Sequence, residues 1–415
     1  MPSRFLITLA LIIIAEIYSF ILVRSAVKPL PHNWRLGLVV LYILVTLLTW
    51  ASIFFFRKID WAHLPHMARN IYVAFTIGFF VAKILVVPVM LIDDLRRIFL
   101  WIILKIFPET GGATPSSGVG ITRAIFIKRL ALAIGGTTLG AFIYGITNRY
   151  KYRIKRVNLS FKNLPQAFRG LKIVQISDIH SGSFDSREAV LRGVEMVMNE
   201  KPDVVFFTGD LVNNKAEEVT PYLDVFAKLK APLGVYSVLG NHDYGDYVQW
   251  SSLEEKKQNL DDLKQRHSDM GWRLLLNEHL TITKDNEQIA IIGVENWSNK
   301  AGFPKYGDLQ KSTLGLTEKQ VPFNILLSHD PSHWDAEVNT LYKDIDLTLS
   351  GHTHGMQFGV EIPGFKWSPV KYVYNKWAGL YQTGDQYLYV NRGYGFLGYP
   401  GRLGILPEIT VIELT

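Results

Sequence analysis

Five short clusters in the chain carry residues able to bind and polarise a ligand. They are Asp178-Ile179-His180, Gly209-Asp210, Gly240-Asn241-His242-Asp243, His329-Asp330 and Gly351-His352-Thr353-His354. A single Asp or His of this kind is ordinarily a turn or a helix cap. Five together supply oxygen and nitrogen donors suited to manganese, iron or zinc. The 415 residues include no cysteine, so thiolate ligands and disulfides are excluded. The set is too rich in histidine for a calcium cage. It also offers more donors than one ion needs. Two ions about 3.5–4 Å apart with a carboxylate between them would use such a set, and pairs of this kind serve in-line displacement at phosphorus. They polarise phosphoryl oxygens, lower the pKa of water and clamp the attacking oxygen.

Each cluster follows a short apolar run. KIVQIS at 172–177 precedes Asp178, DVVFF at 203–207 precedes Asp210, and VYSVL at 235–239 precedes Asn241. NILLS at 324–328 precedes His329, and LTLS at 347–350 precedes His352. Runs of this length and β-branched content read as buried strands. Further strands are expected at 289–294, 387–390 and 409–414, with helices at 187–199, 219–230 and 253–270. The pattern predicts an α/β domain over 171–415, with the polar clusters at the C-terminal edge of its strands, where open α/β sheets form sites.

The first third of the chain has a different composition. Overall, 48% of residues are hydrophobic, and the excess is concentrated here. Segments 5–23, 36–56 and 71–92 each approach or exceed the roughly 20 residues that cross a bilayer core. Glu16 and Lys83 fall inside two of them; they read as partners within a bundle, or as part of a pathway. Trp34, Trp50, Trp61 and Tyr72 lie near the ends, as expected at a headgroup boundary. Residues 95–107 either extend the third span or lie in the interface, and 109–120 (ETGGATPSSGVG) is a polar loop. Residues 121–146 open with Arg123, Lys128 and Arg129 and resemble an export signal; a fourth span is the simpler reading. Three parts are expected: transmembrane helices at 1–147, a basic juxtamembrane linker at 148–170, and the catalytic domain at 171–415. The linker begins NRYKYRIKR, either a headgroup-binding segment or a solvated tether. The net charge of +7 is assigned to the flanks of the spans. No basic stripe interleaved with aromatics points to nucleic acid. The signal-like fourth span favours the outer face of a bacterial plasma membrane for the catalytic domain.

The order D-x-H, G-D, G-N-H-D, H and G-H-T-H resembles the calcineurin-like metallophosphoesterases. That resemblance implies a β-sandwich flanked by helices and two divalent ions, manganese favoured over iron or zinc. Asp178, His180 and His354 would hold one ion, and Asn241, His329 and His352 the other, with Asp210 bridging. His242 would meet the substrate phosphate and stabilise or protonate the leaving oxygen, and Asp243 would orient His242. Ile362-Pro363-Gly364, Ser368-Pro369, Gly379-Leu380-Tyr381, Asn391-Arg392-Gly393-Tyr394-Gly395 and Pro407-Glu408-Ile409 resemble a membrane-associated branch of the family similar to the bacterial phosphodiesterase YkuE. Met356 departs from the glycine often found after the G-H-T-H-G stretch. Arg392 is a candidate phosphate clamp, or the partner of a nearby carboxylate. The aromatics Phe358, Phe365, Trp367, Tyr372, Tyr374, Trp377 and Tyr381 could bind a lipid or nucleoside, dip into a bilayer, or cover a core. The expected activity is metal-dependent hydrolysis of a phosphodiester or pyrophosphate, lipid-linked substrates included. The alternative is a membrane receptor or scaffold with a degenerate phosphoesterase fold. The oligomeric state is open.

Overall fold

The computed structural model describes residues 2–55, 65–107, 123–300, 302–316 and 321–415. The polar loop 109–120, Trp61 and the first residues of the fourth apolar segment lie outside the described residues. The chain divides into two units, Met1–Ile146 and Thr147–Thr415.

The first unit holds helices α1 (Pro2–Val27), α2 (His32–Phe54), α3 (His66–Ile106) and α4 (Arg123–Gly145). All four are long and apolar enough to cross a membrane. Residues 95–107 prolong α3 rather than forming a separate element. At 41 residues and 1.5 Å rise per residue, α3 is about 60 Å long, twice a hydrocarbon core. On it, Asp93 accepts from Arg96 and Arg97 at 3.0 and 2.8 Å. The intramembrane charges expected from the sequence meet each other. Lys83 Nζ lies 2.7 Å from Glu16 Oε2, Trp50 Nε1 donates to Glu16 Oε1 at 2.9 Å, and the ammonium sits 4.1 Å from the Phe79 ring centroid. Such mutual satisfaction is what makes charge tolerable in a bundle interior. Gly78 lets α3 and α4 approach closely, since a Cβ there would meet Phe142 Cβ at 2.7 Å.

The second unit contains fourteen strands among the described residues. They are β1 (Arg153–Leu159), β2 (Lys172–Ile176), β3 (Val204–Thr208), β4 (Val235–Val238), β5 (Arg273–Leu274), β6 (Glu278–Lys284), β7 (Glu287–Gly293), β8 (Asn324–Leu327), β9 (Leu347–Ser350), β10 (Val360–Ile362), β11 (Phe365–Trp367), β12 (Gly379–Thr383), β13 (Gln386–Val390) and β14 (Glu408–Leu414). One sheet runs β1-β14-β2-β3-β4-β5, a second β12-β13-β9-β8-β7-β6, and β10-β11 form a hairpin. Side-chain alternation builds the layers. Ile173, Val204 and Phe206 of the first sheet meet Ile291, Ile325, Leu327 and Leu349 of the second in one fully buried core. Val174, Val205 and Phe207 face the other way, onto a core with Val190 and Val194 of α5 (Arg187–Asn199) and Leu263 of α7 (Leu253–Asp269). The expected helix-flanked sandwich is therefore present.

Two expectations change. The linker proposed for 148–170 is not a free tether: residues 153–159 are β1, paired in parallel with β14 from Arg153↔Glu408 to Leu159↔Leu414. Ile154 packs onto the helix-side core and Val157 and Leu159 onto the inter-sheet core, while Arg153 and Arg156 are exposed. The charge density hid that strand. The helix expected over 219–230 is interrupted at Pro221, giving a 3₁₀ segment (Ala216–Tyr222) and the short α6 (Leu223–Phe226); proline lacks the amide donor that a continuous helix requires.

Candidate metal centre

β2, β3 and β4 of one sheet and β8 and β9 of the other deliver the five polar clusters to one place. Asp178, His180 and His354 have donor atoms within 4.8 Å of one another, and so do Asp210, His329 and His352. Asp210 reaches both groups: its Oδ2 lies 3.5 Å from His180 Nε2 and 3.2 Å from His329 Nε2. Asn241 Oδ1 lies 2.8 Å from His352 Nδ1. All seven expected ligand positions thus converge.

The turns that present these ligands are unusual. Asp178, His180, Asp210, His352 and His354 all have positive φ, from 48° to 71°. Non-glycine residues rarely sit there, and such strain collects at functional sites. Gly209 makes the close approach possible; at φ 93°, a Cβ on it would meet Gly240 N at 2.6 Å and His329 Nδ1 at 2.8 Å.

Outer hydrogen bonds fix the imidazoles. His329 Nδ1–H donates to Thr208 O at 2.7 Å, leaving Nε2 toward Asp210. His352 Nε2 meets Tyr374 Oη at 2.7 Å, and the Tyr374 hydroxyl donates to Asp330 at 3.2 Å. That leaves His352 Nδ1 as the lone pair facing inward, the usual role of a partner behind a ligating imidazole. Arg402, fully buried, donates to Arg392 O at 2.7 Å and lies 3.2 Å from His354 Nδ1.

The donor set fits divalent cations. His180 Nε2 and His354 Nε2 stand 3.0 Å apart, two basic nitrogens aimed at one point. Burial pushes the Asp178 carboxyl up to about 7 and the His180 imidazole down to about 3. Burial also disfavours the charged form of His329, but Asp210 and Asp178 outweigh it and raise that imidazole to about 10. Burial alone would raise Asp210; His329, His242 and His180 instead hold it well below the usual carboxylate range. Buried carboxylates and imidazoles competing for protons mark a place where a cation relieves the conflict.

The remaining expected residues are placed as follows. His242 Nδ1–H donates to Asn213 O at 2.7 Å, and its ring lies tilted 4.6 Å from Tyr247 and edge-to-face 5.0 Å from His180. Asp243 does not orient the His242 ring. Its carboxylate accepts from the backbone amides of Gly240, Asp210, Leu211 and Val212 at 2.8, 2.9, 2.8 and 3.3 Å. The turn folds back over Asp243, so four amides reach it before any side chain does. Arg392 is occupied as well. Its guanidinium pairs with Glu408 and, at 3.0 Å, with Glu361. It is therefore a buried ion-pair partner, the alternative to the phosphate clamp.

Sequence reasoning left four contributors without their part in the site. Asp330 was named in its cluster and Tyr374 among the aromatics, but nothing in the sequence ties either to His352. Tyr247, whose hydroxyl accepts from Asn241 Nδ2 at 2.9 Å, and Arg402 carried no local signal.

Comparison with known proteins agrees with this geometry. Residues 171–356 match the family model described as calcineurin-like phosphoesterase. Residues 3–149 match one described as probable calcineurin-like phosphoesterase, transmembrane domain. The chain is 33% identical over 306 residues to the metallophosphoesterase YkuE of Bacillus subtilis, covering 71% of this chain and 98% of that one. It is 32% identical over 282 residues to a transmembrane protein with metallophosphoesterase domain from Danio rerio, covering 66% of this chain and 60% of that protein. It is 27% identical over 299 residues to the phosphodiesterase YaeI of Escherichia coli, covering 71% and 99%. The chain thus belongs to the calcineurin-like metallophosphoesterases and is a membrane protein carrying that family's four-helix transmembrane domain.

Proposed function

We propose that the chain hydrolyses a phosphodiester or a pyrophosphate at a two-ion centre held by Asp178, His180, Asp210, Asn241, His329, His352 and His354. The observation that carries this reading is Asp210, whose single Oδ2 lies within 3.5 Å of imidazoles from both ligand groups. Two divalent ions held there supply Lewis acidity toward the phosphoryl oxygens and activation of water. The chain's own residues supply the rest. Asp330 and Tyr374 hold the His352 tautomer. His242 presents Nε2, its Nδ1–H being committed to Asn213 O, and as the imidazolium, with a second proton on Nε2, serves the leaving oxygen by donating a hydrogen bond or that proton, which leaves the ring neutral. The name of YaeI supports the diester arm, and the donor types suit manganese, iron or zinc, with manganese favoured.

A lipid-linked substrate, a bacterial plasma membrane and an outward-facing catalytic unit complete the proposal. They rest on the apolar helices and on the basic start of α4, Arg123, Lys128 and Arg129. The test compares turnover of a chromogenic diester, the matching monoester and a nucleotide pyrophosphate by the full chain with manganese, zinc or iron. Diester or pyrophosphate turnover above monoester turnover is expected. Monoester preference overturns the substrate class, and no turnover of any of the three overturns the hydrolase reading.

A further inference from the structure

The β10–β11 hairpin has two faces, because strand side chains alternate. Val360↔Trp367 and Ile362↔Phe365 share one face, and Glu361↔Lys366 the other. The Glu361 face is tied down: its carboxylate meets Lys155 Nζ at 2.9 Å and Arg392 Nη2 at 3.0 Å. The apolar face is open to solvent. Val360, Ile362 and Phe365 are 44%, 57% and 54% exposed. The following turn, Pro369–Tyr372, and its neighbour Val373 add Tyr372 at 74% and Val373 at 55%. Five exposed apolar side chains within residues 360–373 mark an interaction surface.

We propose that this face docks on the anionic lipid surface of the bilayer in which the chain is anchored. Three observations select that occupant. Between α4 and β1, residues 146–152 extend no more than about 25 Å, so a bilayer is always within reach of the second unit. Residues 360–373 contain one acid, Glu361, which is ion-paired, and two lysines; Lys366 on the opposite face is held by Ala378 O and the Tyr381 ring, while Lys371 stands exposed beside Tyr372 and matches anionic headgroups. Trp367 and Tyr372 are the amphipathic aromatics that settle at headgroup level. Apolar tips flanked by lysine and aromatic residues bind interfaces through buried apolar area plus charge attraction.

Docking has a consequence for the metal centre, and this step alone rests on the proposed function. The segment that bears the patch is fastened to the ligand loop at two points. Ser368 Oγ donates to Gly355 O at 2.8 Å, and Tyr374 meets His352 at 2.7 Å. Seating the hairpin among headgroups brings the rim of the centre to phosphate esters carried by lipids, which makes these the substrate class.

The absence of native cysteine permits a clean test in the full chain. Phe365→Cys, Tyr372→Cys and a control, Leu253→Cys (81% exposed in the native chain), are labelled with an environment-sensitive fluorophore in nanodiscs containing phosphatidylglycerol. Labels at 365 and 372 should be blue-shifted and quenched about twofold or more by headgroup-region nitroxide lipids, while the label at 253 stays water-like. In phosphatidylcholine nanodiscs the quenching at 365 should weaken. Water-like emission at 365 and 372 overturns the proposal. So does a blue shift without nitroxide quenching, which reports a protein partner such as a second copy; undiminished quenching in phosphatidylcholine overturns the role of charge. Turnover of a soluble chromogenic diester by the same variants reads the metal centre separately, so failure of docking and failure of the hydrolase reading are distinguishable.

Discussion

Replacing Asp243 by asparagine separates two accounts of this residue. Oδ1 accepts from Leu211 N and Val212 N, and Oδ2 from Gly240 N and Asp210 N. Burial and the nearby Asp210 charge push this carboxyl up to about 7, while the amides pull the other way by favouring its ionised form. An asparagine has one carbonyl oxygen, so either orientation leaves two of the four amides facing an NH₂ group. Hydrogen bonds to a charged acceptor are worth about 1.5–3 kcal/mol each. Two lost bonds therefore cost the turn about 3–6 kcal/mol. That turn holds Asp210 and, through Gly240, Asn241. Weakened metal binding of about 10²–10⁴-fold follows if the loss falls on the ligand-holding state. Calorimetric titration of the stripped full chain with manganese measures it, with melting temperature recorded alongside. Native affinity and melting, with only the pH–rate profile altered, would refute the reasoning and show Asp243 acting through the His242 ring.

Three further outcomes are expected. His242→Asn should lower kcat about 10²-fold or more while leaving manganese affinity near native; kinetics paired with metal titration checks this, and an equal loss of metal would make His242 a ligand. Arg392→Met should destabilise the second unit by about 3–5 kcal/mol, because Glu408 stays buried without its partner. Turnover per folded molecule should persist; native melting with a raised KM would instead make Arg392 a phosphate clamp. His267, fully buried with Nδ1 2.9 Å from Ser237 Oγ, is held down at about 3 by burial. The unfolded chain protonates first, near 6.5, so stability falls as pH drops below that value and levels off near 3. The loss between pH 7 and pH 5 is about 2 kcal/mol. It should be absent in His267→Gln, and equal pH slopes in the two proteins would contradict it.

The sequence was most informative where a short buried strand ended in a ligand. KIVQIS before Asp178 and LTLS before His352 have alternating or continuous apolar runs that only a sandwich interior accommodates, and the ligands follow at once. It was least informative where partners are distant in sequence. Nothing local in Asp243 reveals that its carboxylate caps four amides, one of them 33 residues away at Asp210. Arg402 likewise reaches His354 across 48 residues. Strand β1 was hidden by its own charge, and β10–β11 by three-residue strands too short for a periodicity to register. Glu16 and Lys83 were visible as anomalies in apolar helices, but their mutual contact, 67 residues apart, needed the folded bundle.

The central claim, a two-ion hydrolytic centre bridged by Asp210, is tested most directly by one experiment. The full chain is stripped with chelator, titrated with manganese, and assayed on a chromogenic phosphodiester, with Asp210→Ala beside it. The account predicts two ions bound per chain, turnover that appears with the metal, and loss of both metal and turnover in the variant. A native chain that binds no stoichiometric metal and turns over neither diester nor monoester would contradict it.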